Sequence, residues 1–297
     1  MQPQRLSFRD EIQKNKISSY LLITIILAVL LILTYTIAYA IGGDYFFLIL
    51  IIGIPISIGY IVFGFYNSDK IAIKSANAKP ANGPEYRQYH NIVEGLCIAS
   101  GLPKPKLYIM HEQQINAFAS GRDPKNAVIC VTDGSLQKLT KQELEGVLAH
   151  ELSHIANYDI RFMTLTAVLV GMIAIISEIF LRSLFWSSFS GEGGDRDNGN
   201  IIFIVIGIIL AILAPIIVAL VQLAISRKRE YAADSSAVKF MRTPTGLIGA
   251  LKKIKDNSPM KVSGAVAPLF LAKPSKAKEW FSTHPPLAER IAKLQRM

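Results

Sequence analysis

Apolar residues gather into four long blocks separated by polar sequence. Residues 17–43, 45–68 and 198–226 carry no Asp, Glu, Lys or Arg. Each reaches the roughly 20 residues that a helix needs to cross the hydrocarbon layer. The remaining block, 162–186, is interrupted only by Glu178 and Arg182, which are four apart and can pair on one helix face. The pattern predicts four membrane-spanning helices, at about 19–41, 45–66, 162–184 and 201–225. Pro55 and Pro215 fall inside spans, where they predict local kinks. The first block is expected to be an uncleaved span rather than a signal peptide: it exceeds the 7–15 apolar residues of a signal core, and a second apolar block follows the short turn 42–44.

Between the blocks the periodicity changes. Residues 84–100 read as a helix ended by Gly101 and Pro103. Residues 107–110, 116–119 and 127–131 read as short strands, the last two joined by a hairpin turn at 121–125. A short helix is predicted at 133–139, and another from Lys141 with Thr140 as its cap. From Glu230 onward the pattern is mainly helical, with a mobile Pro- and Lys-rich loop at 259–278. The chain divides into a tail and first hairpin (1–68), a middle segment (69–161), a second hairpin (162–226) and a C-terminal segment (227–297).

Basic residues orient this arrangement. Arg5, Arg9, Lys14 and Lys16 precede the first span, 67–161 is rich in Lys and Arg, and Arg227, Lys228 and Arg229 follow the last span. The turn 42–44 has no Lys or Arg, and the loop 187–200 is net acidic. Both termini and the middle segment are expected in the cytosol.

Composition agrees. The chain is 51% hydrophobic and 18% charged, below the roughly 25% charged usual for soluble domains. Its net charge of +10 includes no basic run with interleaved aromatics. The charge therefore points to loops beside anionic lipid rather than to nucleic acid. The two cysteines, Cys97 and Cys130, form no C-x-x-C and are expected as buried thiols.

The chemistry lies in His150-Glu151-Leu152-Ser153-His154. On a helix, histidines four apart face the same way and can grip one metal ion, with Glu151 beside it as a base toward water. The chain has only five histidines and two fall in this pattern, which weighs against two incidental surface histidines. A catalytic zinc needs a third protein ligand and one open position. The third span begins shortly after His154 and the fourth ends just before Glu230. If that helix runs on unbroken and the two spans form an antiparallel pair, both residues lie just beyond the same membrane edge, about 6–12 Å from it at 1.5 Å per residue. Glu230 is thus a candidate third ligand. Asp234, four residues on, and Asp159 and Asn157 on the first helix are candidates to receive the free N–H of a ligating imidazole. His90 and His111 are expected to be structural or exposed.

These motifs resemble the HtpX and type 1 CAAX prenyl protease family of membrane metalloproteases over nearly the full chain: two spans, H-E-L-S-H-I-A-N-Y-D, two more spans, then Glu230-Tyr231-Ala232-Ala233-Asp234. The resemblance implies one Zn2+ ion on His150, His154 and Glu230, with Glu151 as general base. It places the family's aspartates on Asp159 and Asp234. Asn116-Ala117-Phe118-Ala119 matches the strand that aligns a peptide substrate by edge pairing. Thr283-His284-Pro285-Pro286 matches a late His-Pro element, which implies His284 as an oxyanion stabiliser; the bland alternative is a helix entry. The expectation is a mainly α integral membrane protein: four transmembrane helices and a cytosolic α+β zincin-like domain with a small β-sheet, in a bacterial cell membrane. It would cut protein or peptide substrates, misfolded or damaged membrane proteins among them.

Three other readings fit the sequence less well. An intramembrane protease would bury the motif in an apolar span, but Glu143, Glu145, Asn157, Asp159 and Arg161 surround it. A prenyl-protein protease needs an enclosed chamber, for which four spans leave little room. A non-catalytic metal-binding scaffold or chaperone fits poorly with Glu151 intact and no fourth protein ligand.

Overall fold

The computed structural model describes residues 8–41, 45–165, 227–256, 270–271 and 285–297. The third and fourth predicted spans lie outside the described residues except for 162–165, as do the turn 42–44, most of the predicted loop 259–278, and His284.

Helix α1 (Phe8–Ile41) and helix α2 (Tyr45–Tyr66) form the first apolar pair. No Gly or Pro interrupts 8–41, so α1 begins well before the predicted span. The 18-residue window 15–32 has mean hydropathy 2.0, and α2 has 2.6. At 1.5 Å per residue, α2 is about 33 Å long, close to the hydrocarbon thickness. Only 11% of α2 is buried, and Phe47, Ile51 and Phe63 stand out from it. A core helix of a soluble domain would hide those side chains; an apolar surface this large marks a contact with lipid or protein. The helices meet at small residues: a Cβ on Gly53 would sit 2.4 Å from the Thr34 methyl, and the Thr34 and Ser57 hydroxyls are 3.3 Å apart. Helix α2 continues through Pro55.

The remaining described residues pack around one mixed sheet. After α3 (Ser68–Ser75) come β1 (Lys79–Pro80), α4 (Arg87–Ser100), β2 (Lys106–Met110), β3 (Ala117–Gly121), β4 (Ala127–Thr132), α5 (Asp133–Lys138) and α6 (Lys141–Ala156). Then follow α7 (Arg227–Met241), α8 (Thr245–Lys255) and α9 (Leu287–Leu294). The strand order is β1-β2-β4-β3. The β2–β4 pair is parallel; the β1–β2 and β3–β4 pairs are antiparallel. Strand β1, only two residues long, was not expected from the alternation. Gly101 closes α4 at φ 71, the left-handed conformation that glycine adopts without strain.

Alternation sorts the sheet's side chains. Leu107, Ile109, Ile129 and Val131 face α4 and α6, where Tyr89, Leu96, Val147, Leu148 and Leu152 complete the main core. Met110, Phe118 and Cys130 point the other way, toward α3 and Phe270. Cys97 and Cys130 are both buried free thiols. Helix α6 is buried from Gly146 to Ala156, flanked by α7, α8 and β3. It meets α8 at two glycines: a Cβ on Gly146 would come within 2.4 Å of the Leu247 nitrogen, and one on Gly246 within 2.1 Å of the Gln142 carbonyl.

Candidate active site

Helix α6 starts on a capping box. The Glu143 N–H donates to the Thr140 hydroxyl at 3.3 Å, and the Thr140 N–H donates to the Glu143 carboxylate at 2.7 Å. From this fixed start, His150 and His154 fall one turn apart on the same face, with their Nε2 atoms 3.2 Å from each other. Glu230, in the first turn of α7, sets Oε2 3.6 Å from His150 Nε2 and Oε1 3.6 Å from His154 Nε2. All three side chains are buried. A tetrahedral ion with bonds of about 2.0–2.1 Å needs ligand atoms about 3.4 Å apart. The two imidazole nitrogens lie near that separation, each has a different Glu230 oxygen at 3.6 Å, and one ligand atom of each residue falls within 4.8 Å of the others, so this donor set can close on one such ion.

Each imidazole is held from behind. His150 Nδ1 lies 3.0 Å from Asp234 Oδ1, and His154 Nδ1 lies 3.1 Å from Asp159 Oδ2. These contacts fix the proton on Nδ1 and leave Nε2 as the ligating atom. The Asp159 contact depends on a helix break. The sequence led us to expect one continuous helix from the histidine motif into the third span. Instead α6 stops at Asn157, Tyr158 adopts φ 60, and helix resumes at 159–165. In an unbroken helix, residue 159 would be five positions beyond His154 and off its face. The break, which costs about 1–2 kcal/mol at the left-handed Tyr158, swings Asp159 back onto the imidazole.

Two residues that sequence reasoning missed complete this layer. Arg290 of α9 is fully buried. Its Nε and Nη2 donate to Asp234 Oδ2 and Oδ1 at 2.9 and 2.7 Å, and its Nη1 is 3.2 Å from Glu230 Oε2. A signal was present: Leu287, Ile291 and Leu294 make an apolar stripe on α9, and Arg290 is a charge at i+3 within it. Asn15 of α1 is also buried; its amide donates to Asp159 Oδ1 at 2.7 Å and to the Asn157 carbonyl at 2.9 Å. Among the described residues the Asn157 side chain makes no hydrogen bond, so Asn157 contributes its carbonyl rather than the expected amide.

Burial and neighbouring charge set the protonation of the site. Burial, followed by the Arg290 cation, lowers the pKa of His150 and keeps it in the neutral form that binds metals. Burial opposes charge on His154 as well, but the hydrogen bond to Asp159 and the Glu230 carboxylate outweigh it and raise its pKa to about 9. Burial, reinforced by Glu230, raises the Glu151 carboxyl to about 7, despite opposing pulls from His154, Arg290 and the Ala119 N–H. Burial works against ionisation of Asp234, yet Arg290 and His150 hold its carboxyl well below the usual range.

Glu151 also links the site to the sheet. Strand β3 is the sheet's outer strand on this side. The Thr132 N–H donates to the Asn116 carbonyl, which turns the polar groups of residues 116, 118 and 120 toward β4 and those of Ala117 and Ala119 outward. The Ala119 N–H donates to the Glu151 carboxylate. The Ala117 N–H is held by Asn116 Oδ1 at 3.0 Å, and the Ala117 carbonyl accepts from the Leu271 N–H at 3.0 Å. Phe270 packs edge-on against Phe118 at 5.0 Å. The strand expected to take a peptide is therefore beside the base, with the Ala117 N–H and carbonyl and the Ala119 N–H engaged by the chain itself. His90 bonds the Ala81 carbonyl and His111 pairs with Asp133, both away from the site.

The profile described as Peptidase family M48 matches residues 85–297. A "Protease HtpX homolog" of Thermoanaerobacter pseudethanolicus is 49% identical over 235 residues, covering 78% of this chain and 79% of the relative. Another, of Dictyoglomus thermophilum, is 39% identical over 296 residues, covering 98% and 95%. A third, of Streptococcus agalactiae serotype III, is 38% identical over 294 residues, covering 97% and 99%. Among solved structures, Ste24p of S. mikatae matches with a TM-score of 0.50 at 21% identity, a likeness of fold. The match covers 95% of this chain but only 65% of that longer one.

Proposed function

The chain belongs to peptidase family M48 and is a membrane-anchored metalloprotease, and we propose that it holds one zinc ion on His150, His154 and Glu230 and uses Glu151 as its general base. The observation that carries this is the buried cluster of His150, His154 and Glu230, one ligand atom of each within 4.8 Å of the others, with Glu151 buried beside it. Two imidazoles and a carboxylate suit zinc, with room for an open fourth position. When bound, the ion supplies Lewis-acid polarisation of the scissile carbonyl and makes water a nucleophile near neutral pH.

The chain's own residues do the rest. Glu151 takes a proton from the attacking water and returns one to the leaving amine. Asp234 and Asp159 orient the two imidazoles, and Arg290 holds Asp234 and Glu230 together. An extended peptide adds to the outer edge of β3 through Ala117 and Ala119, with Asn116 and Phe118 fixing that strand against β4, and it takes the place of Leu271 at the Ala117 carbonyl. His284 serves as an oxyanion donor; the support is the family resemblance and the adjoining Pro285, which is buried just before α9.

Four spans anchor the protein in this reading: α1, α2 and the apolar blocks at 162–184 and 201–225, with both termini and the active site cytosolic. A site this near the spans suits tails and loops of misfolded or damaged membrane proteins. No observation favours the non-catalytic scaffold. Metal content tests the ligand set: wild type stripped by chelator and reloaded should bind one zinc per chain, and Glu230→Ala should bind it at least ~100-fold more weakly, with loss of protein cleavage. Unchanged affinity in Glu230→Ala would remove Glu230 from the ligand set.

A further inference from the structure

A second polar cleft, away from the metal centre, lies where α1 leaves the catalytic unit. It has a volume of about 520 Å³ and is lined by Lys16 and Tyr20 of α1, the turn at Lys125, and Tyr158 and Arg161 beyond the helix break. Three cations converge on it. Lys16 stands over the Tyr158 ring at 4.3 Å; Arg161 lies 5.4 Å from the same ring and 5.8 Å from that of Tyr20. Lys125 is exposed on the turn. Among the described residues none of the three has a carboxylate partner within ion-pair distance. The one acid on the cleft wall, Asp123, is occupied: it pairs with Arg122 at 3.5 Å and caps the turn by accepting from the Asn126 backbone and side chain. Among the described residues the cleft therefore carries net positive charge.

Its position identifies the ligand chemistry. The apolar window of α1 begins at residue 15, so Lys16 and Tyr20 occupy its first two turns. The far end of α2 arrives at the same level, where Arg122 donates to the Tyr66 carbonyl at 3.1 Å and Arg161 lies 5.6 Å from Phe65. Basic side chains mixed with Tyr and Phe rings at the end of an apolar helix mark the depth of lipid headgroups. We propose that this cleft binds the phosphate-bearing headgroup of an anionic phospholipid, between Lys16, Lys125 and Arg161. The inference rests on the membrane-anchored reading above. Tyr20, which is 60% exposed, offers a ring and hydroxyl for the glycerol region. Such a lipid would be linked to the centre by a chain of contacts: the residue before Lys16 is Asn15, which donates to Asp159, which in turn holds His154.

The test is lipid binding by the full-length protein in detergent, followed by native mass spectrometry with phosphatidylglycerol and phosphatidylcholine as probes. The wild type should retain phosphatidylglycerol at least ~10-fold more tightly than phosphatidylcholine, and Lys16→Gln/Arg161→Gln should lose that preference. Arg161 also donates to the Arg122 carbonyl at 2.7 Å, so that double variant can fail to fold. Lys125→Glu on the exposed turn is the second variant, and it should lose the same preference while keeping its zinc. Equal retention of the two lipids by wild type, or an unchanged preference in Lys125→Glu, would overturn the proposal. Competition by free glycerol phosphate as effective as that by the lipid would also overturn it and make this a soluble-phosphate site. Flotation with pure phosphatidylcholine vesicles separates the premises: a protein that floats but shows no headgroup preference keeps its membrane anchor and lacks only this site.

Discussion

Arg290 grips Asp234 with two parallel hydrogen bonds, Nε to Oδ2 at 2.9 Å and Nη2 to Oδ1 at 2.7 Å, in a fully buried pair directly behind His150. Such a pair gains little net stability unless every remaining group is matched, because both charges leave water. Here the third guanidinium nitrogen lies 3.2 Å from Glu230 as an ion pair without hydrogen-bond geometry, and Asp234 Oδ1 also lies 3.0 Å from His150 Nδ1. The arginine thus balances two carboxylates, one proposed to orient a ligand and one to be a ligand.

Replacing Arg290 by Met should leave those two carboxylates buried without their counter-charge. The expected cost is about 3–5 kcal/mol in stability and roughly 10–100-fold in zinc affinity. Arg290→Lys keeps a charge but not the fork, so it should recover part of the stability and little of the affinity. Thermal melting and chelator competition on the same preparations check both. Zinc affinity equal to wild type in the Met variant would show that Arg290 does not position the ligands.

The pKa of Glu151 sets a pH dependence with a definite sign. Its folded carboxyl is raised from 4.5 to about 7 by burial and by Glu230. The folded, metal-free protein therefore holds this proton more tightly than the unfolded chain does. The resulting stabilisation is complete below 4.5 and is lost as pH rises through about 7. Metal-free wild type should lose melting temperature across that window relative to Glu151→Gln, which has no proton to release. With metal bound, cleavage should fall as pH drops, with its midpoint at or below about 7, since a nearby cation favours the carboxylate. Parallel melting curves for the two proteins would contradict the assignment.

Close contact between α6 and α8 should make Gly146 intolerant of any side chain. A Cβ there meets backbone rather than a flexible tip, so Gly146→Ala must separate the helices and should destabilise by about 1–3 kcal/mol. Gly95 on α4 has open space around its Cβ direction, and Gly95→Ala should be neutral or stabilising by about 0.5–1 kcal/mol. Denaturant unfolding of the two variants side by side measures the difference.

Much of the site was legible because its spacing is local. The i, i+4 histidines and the Thr140 cap each lie within one or two helical turns, and the structure brings Glu230 and Asp234 to them as the sequence suggested. What escaped was set by contacts between distant segments. Arg290 is 140 residues from the imidazole it approaches, and Asn15 is 144 from Asp159. Only the misplaced charge on the apolar stripe of α9 hinted at the first. The break at Tyr158 was hidden for another reason: Asn157-Tyr158 carries no Gly or Pro, and its left-handed turn is held by what it achieves, the return of Asp159 to His154. Strand β1, with two residues and a proline, is too short to show any alternation.

In the proposed mechanism a metal on His150, His154 and Glu230 and a base at Glu151 act together on a peptide bond. The most direct measurement compares wild type with Glu151→Gln, both purified in detergent, stripped of metal and reloaded with zinc, on an unfolded protein substrate. Both proteins should hold one zinc per chain, the wild type should cleave only with zinc, and the variant should lose at least ~100-fold in cleavage. Equal cleavage by the two proteins, or cleavage that survives removal of the metal, would contradict it.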